Sequence, residues 1–228
     1  QNDSQSTTHA DNDITQLAEE IREAVAHGGN VEQTVRNLTL KAIHTHGLDI
    51  ESLRQVASAV MEGAHEGAQQ KLTHASEQSH VAQSQIIEAV TGLDTAFAQL
   101  AGASKLALEE AASKAKQFSH GELARARADI ESLESLFLDT LKHTATAAQG
   151  LIAETLRDLF THAQRNGTVV GTQLKDTLAV FAHQMASTGR AQLEAGVQLT
   201  QMTADLLYKI SSGVLTGITD QIKQGNDK

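Results

Sequence analysis

The sequence predicts an all-α protein, and three observations carry that expectation. The 228-residue chain contains no Pro, the residue that most strongly interrupts helices. It has no Trp, one Tyr and five Phe, too little bulk for a thick globular core, so long thin helical packing fits better. Residues 53–222 also carry one eleven-residue apolar repeat without a slip.

Its first column includes Leu53, Ile86, Phe97, Ile130, Leu141, Ile152, Leu174, Met185, Leu207 and Ile218. Four residues on, a second column includes Val90, Leu156 and Leu178. Seven on, a third includes Val60, Leu93, Phe137, Leu159, Val170, Phe181 and Val214. About three quarters of the column positions are apolar, against 40% of the whole chain. Eleven residues over three turns is about 3.67 per turn, slightly more than a straight helix has, which predicts a gentle right-handed supercoil.

Residues 1–12 are polar without an apolar period and read as a disordered lead-in. Residues 13–48 read as a short helical head or clasp. Asp13 is placed to cap a first helix with Ile14, Leu17, Ile21, Ala24 and Val25 on one face. Gly28 and Gly29 end it, Gly being the residue that takes the left-handed conformation at helix ends. Asn30 with Gln33 has capping-box spacing for a second helix, buried through Val31, Val35, Leu38, Ala42 and Ile43. Gly47 stops that one and Asp49 caps the next. Helices this short are marginal alone, so both must fold back on the long helix or on a neighbouring chain.

Residues 49–222 form the hendecad region, and residues 223–228 read as a frayed end. Unbroken phase favours a single helix over 53–222, because a loop of arbitrary length resets register. Its length would be about 255 Å. Such a rod cannot leave its apolar stripe in water, so the expected assembly is a right-handed coiled coil of three or four copies. The twenty column residues named above are its expected oligomer core. The alternative is an antiparallel bundle with turns near Gly121, where Ser119 and Glu122 have capping-box spacing, and near Gly167. The columns over 57–82 and 101–126 are mostly Ala and Ser, which brings helices close, whereas Leu, Ile, Val and Phe over 130–181 supply most of the packing energy.

Lys71, Glu134 and Gln192 stand where apolar residues belong, with Asn166 beside a core position. Such groups either fix register as a buried polar layer or reach solvent at the edge of the seam. The pairs Gly63–Gly67, Gly167–Gly171 and Gly213–Gly217 have the spacing that permits close helix approach.

The chain carries 28 acidic and 18 basic residues, a net charge of −10, and its Lys and Arg are scattered singly. Nucleic acid requires a basic stripe, so it is not an expected partner. No apolar run approaches a bilayer span. There is no Cys, and the eleven His include none paired with a second His at a spacing of four. Asp139–His143 and Asp158–His162 have one-face spacing, which suits a hydrogen bond as well as a ligand pair. Neither a metal nor another cofactor is expected. No nucleophile stands beside a base, so an enzyme is not expected either. The expected localisation is cytoplasmic, with a secreted or surface setting left open because the first residue is Gln.

Thr39-Leu40-Lys41-Ala42-Ile43, the run Gly47-Leu48-Asp49-Ile50-Glu51-Ser52-Leu53-Arg54-Gln55-Val56, and Met61-Glu62-Gly63-Ala64 together resemble the opening of an uncharacterised bacterial family. That family joins a short helical N-terminal region to long hendecad helices, and the resemblance implies no activity. The Ala-rich helices without Cys or Trp also resemble, in composition, the phasins that coat polyester storage granules. The expected function is a self-associating structural or scaffolding protein, fibre-forming if its ends meet. The alternative is a phasin-like helix protein coating a lipid or polyester surface.

Overall fold

The computed structural model describes residues 3–46, 49–74, 76–113 and 120–195. Among these residues there are helices and turns but no strand. In chain order the helices are α1 (Asp3–His27), α2 (Val31–His46), α3 (Ile50–His74), α4 (Ser79–Ser113), α5 (His120–Glu131), α6 (Leu133–Ala147), α7 (Gly150–Asn166) and α8 (Val169–Ala195). One 3-10 turn, Ser76–Gln78, stands between α3 and α4.

A single helix over 53–222 is therefore not the arrangement of the chain. The described interruptions fall at Ser76–Gln78, at Ser132, at Ala148–Gln149 and at Gly167–Thr168. The turn expected near Gly167 is present. Gly167 takes φ +82°, and its N–H donates to the Ala163 carbonyl at 2.8 Å. The turn expected near Gly121 falls on residues 114–119, outside the described residues, and Gly121 itself is the second residue of α5. At Ser132 both the N–H and the hydroxyl fold back on the Ala128 carbonyl, at 3.2 and 2.8 Å, so this break is a one-residue hitch.

The N-terminal expectations change in detail. α1 begins at Asp3, so most of the expected lead-in is helical and Asp13 lies inside the helix rather than capping it. Extending an existing helix costs less than nucleating one, which is how a segment with no apolar period can be helical. The left-handed residue between α1 and α2 is Asn30, at φ +53°, rather than either Gly. Asn tolerates that region better than most residues with a side chain. Asn30 still begins α2, its carbonyl accepting from Thr34 N–H at 3.1 Å. Its amide donates to the Gln33 side chain at 2.6 Å, a side-chain pair in place of the reciprocal capping box. Asp49 caps α3 as expected. Its carboxylate accepts from the Ser52 N–H at 2.9 Å and from the Ser52 hydroxyl at 2.7 Å.

The chain divides into two compact units, Gln1–Ala96 with Glu134–Thr168, and Phe97–Leu133 with Val169–Lys228. In the first unit, Gly63 lies against Ala18, Gly67 against Arg22, and Lys71 against Ala26. Each pair is 45 residues apart, so α1 and α3 run parallel in fixed register. Every fourth residue of one helix meets every fourth residue of the other, ridge against ridge. α2 packs on both. The early part of α4 runs alongside α2, with Gly92 against Glu32 and Val35. α6 and α7 form an antiparallel hairpin, because Glu134 at the start of α6 meets Thr168 just beyond the end of α7. Ile21, Val25, Val35, Leu40, Ile43, Met61, Ile86, Leu93, Ile152 and Leu156 fill this unit's core.

In the second unit α5 packs against α8. Its core holds Phe97, Leu100, Leu108, Leu123, Leu133, Val170 and Phe181. Thr177, fully buried, shares its hydroxyl proton between the Ala101 carbonyl at 3.0 Å and its own-helix Gln173 carbonyl at 3.2 Å.

Candidate functional site

The repeat columns are the natural place to look for function, and most of them are covered by the chain itself. In the first unit Leu53, Val60, Ile86, Val90, Leu93, Phe137, Leu141, Ile152 and Leu156 are buried. In the second, Phe97, Ile130, Val170, Leu174 and Phe181 are buried. The unbroken repeat predicts that partner copies cover these side chains. The breaks between helices let one chain fold its stripe against itself, and burial follows without a second molecule. Leu159, Leu178 and Met185 differ in being only half-buried. Leu207, Val214 and Ile218 lie outside the described residues.

The α1–α3 crossing in the first unit is built on Gly. A β-carbon at Gly67 would stand 2.5 Å from the Arg22 carbonyl oxygen and 2.9 Å from the Val25 β-carbon. One at Gly63 would overlap the Ala18 carbonyl. Buried Ala64 and Ala68 extend the same small surface along α3. The Gly63–Gly67 pair thus serves close packing inside the chain. Gly167, by contrast, turns the backbone and has open space around it, and Gly213 and Gly217 fall outside the described residues.

This crossing ends on polar groups at the C-terminus of α1. Lys71 Nζ donates to the Ala26 carbonyl at 3.3 Å. The Gln85 amide, oriented so that its nitrogen donates to the Val25 carbonyl, accepts from Lys71 Nζ at 3.2 Å. A cation and an amide from two other helices thereby satisfy carbonyls that a helix end leaves without partners. Arg22 adds a 3.5 Å contact to Gln70. Lys71 is neither an isolated buried charge nor a free edge residue; it is a tertiary C-cap.

Glu134 likewise has a role at a helix end, accepting from Thr168 Oγ1 at 2.5 Å. Asn166 is exposed, with its amide nitrogen 3.0 Å from His162 Nδ1. Gln192 falls outside the residues whose side chains are described. Gln85, Gly92 and Thr177 were not singled out from the sequence. Gln85, Gly92 and Thr177 all lie off the apolar columns.

Two shallow grooves mark the surface of the first unit. One, of about 400 Å³ between α1 and α3, is lined by Ile14, Ala18, Glu51, Arg54, Ser58 and Glu62, among others. Arg54 pairs there with Glu51 at 3.2 Å. The other, of about 200 Å³, lies between α1 and α2 and is lined by Asp13, Glu20, Leu38, Lys41 and His46, among others. Both are open to solvent. Among the described residues no three of His, Asp and Glu converge as a metal-binding group. No described helix is long and apolar enough to cross a membrane.

Neither a curated protein nor a solved structure matches the chain. A family model, the family of unknown function DUF6781, matches residues 7–224. The match covers nearly the whole sequence, so the chain belongs to that family.

Proposed function

We propose that the protein is a structural, self-associating helical protein, acting as a scaffold through its apolar repeat rather than through catalysis. The observation that carries this reading is the uneven cover of the columns. Leu156 is fully buried, while Leu159 in the same helix is half-buried. Leu178 and Met185 in α8 are half-buried beside buried Leu174 and Phe181. The repeat therefore continues onto the surface after the chain has satisfied its own core, and a second copy offers matching surface. Three or four copies, a right-handed coiled-coil contact and a cytoplasmic setting belong to this proposal. The test is light-scattering mass on the purified chain and on Leu159→Asp. We expect a multiple of 24.3 kDa that falls to the monomer value in the variant with helicity retained. A monomeric wild type overturns the reading. Leu156→Asp does not serve as this test, since it places a charge in a closed core.

A second reading, a phasin-like coat on a lipid or polyester surface, draws on Val81, Ile87 and Leu106 of α4, each at least 40% exposed. Added apolar particles would then raise helicity and recruit the chain. If the mass is monomeric and such recruitment occurs, this reading replaces the first.

A further inference from the structure

We propose that the α6–α7 hairpin is a hinge that straightens into one helix and exchanges α7, with the chain that follows it, between two copies. This rests on the self-association reading and supplies its route.

Three observations converge on the turn at Ala148–Gln149. It is only two residues long, with Gln149 extended at φ −131° and ψ 158° and making no side-chain cap bond. Gly150, at φ +61°, supplies the left-handed step that the reversal needs. Its surroundings are open, with nothing within 4 Å of a β-carbon placed there. A turn this short holds the chain reversed with little slack, the condition that favours exchange between copies.

The repeat crosses the turn without losing phase. Leu141, Ala145 and Ala148 are followed by Ile152, Leu156 and Leu159, spaced four, three, four, four and three. The two arms of a hairpin need no common phase, because the turn sets their register independently. A straight helix over 133–166 does need it, since only then do these six side chains form one stripe. Ala and Gln at 148 and 149 are good helix formers, so Gly150 is the main local obstacle to straightening.

The open end of the hairpin is latched by Thr168 Oγ1 donating to Glu134 Oε2 at 2.5 Å. In the exchanged pair Glu134 of one copy receives Thr168 of the other, and Gln83, whose amide meets Thr155 at 3.2 Å, likewise finds that threonine on the other copy. Every contact of α7 is kept, and only the turn is lost. Exchange of an identical element is a low-cost route to association.

The chain has no Cys, so the double variant Glu134→Cys/Thr168→Cys, treated with a short bis-maleimide, reports which copies meet. The full-length chain is tested in three forms: otherwise unchanged, with Gly150→Ala, and with four Gly/Ser residues inserted after Gln149. We expect Gly150→Ala to raise the covalent dimer on a denaturing gel, at twice 24.3 kDa, at least tenfold over the insertion variant, whose crosslink stays within one chain. Oligomers by light scattering whose crosslinks are all within one chain overturn the hinge and leave self-association standing. Monomers throughout overturn both. Should Gly150→Ala fail to fold, the unchanged and inserted forms still decide, because the insertion must reduce the covalent dimer.

Discussion

Thr168 Oγ1 donates to Glu134 Oε2 at 2.5 Å across 34 residues of sequence. Glu134 stands at the start of α6 and Thr168 just beyond the end of α7, so this bond joins the two ends of a hairpin. Thr168 is buried and Glu134 is half-buried, a setting in which a charged acceptor is costly to leave alone. Thr168→Val should lower unfolding free energy by about 1–2 kcal/mol. Urea denaturation would read this, and Glu134→Gln, which keeps a neutral acceptor, should lose about half as much.

The glycine crossing predicts the opposite of helix propensity. Gly→Ala in a helix interior ordinarily gains about 1 kcal/mol. At Gly67, where a β-carbon meets the Arg22 carbonyl, and at Gly92, where it would stand 2.6 Å from the Glu32 carbonyl, backbone must move instead. Gly67→Ala and Gly92→Ala should each destabilise by about 1–3 kcal/mol. Gly29→Ala, with open space around it, is the control and should leave the thermal midpoint nearly unchanged.

Asp49 gives the chain a sign-defined response to acid. Burial pushes its carboxyl upward, but hydrogen bonds from the Ser52 N–H and hydroxyl, with backbone bonds from Asp49 and Glu51, hold it below its ordinary value of 3.8. A depressed carboxylate contributes stability above the unfolded value and loses it as pH falls through the folded value. Asp49→Ala should cost about 1 kcal/mol at neutral pH. The difference between wild type and variant should shrink below pH 3.8, measured by urea midpoints across the acid range.

Thr177 tests the second unit. Its hydroxyl reaches the Ala101 carbonyl on α4 from a fully buried position. Thr177→Val keeps the volume and removes the donor, so it should cost about 1 kcal/mol. Thr177→Ala adds a cavity and should cost more, in the same denaturation experiment.

The prevalence of helix among the described residues, the start of α2 at Asn30 and the Asp49 cap were legible because they depend on neighbours in sequence. No Pro interrupts the chain, apolar residues recur at helical spacing, and a carboxylate three residues before a Ser needs no distant partner. The repeat likewise told which side chains seek cover. It could not tell where the cover comes from, because an apolar column is satisfied equally by a second copy or by the same chain turned back. That choice rests on Ala148–Gln149 and Gly167–Thr168, where the chain turns, and only Gly167 was visible beforehand. Gln85 meeting Val25 and Lys71, Gly92 meeting Glu32, and Thr168 meeting Glu134 each join residues dozens of positions apart. Sequence spacing limits which contacts a helix face can make, and tertiary packing alone decides which of them are made.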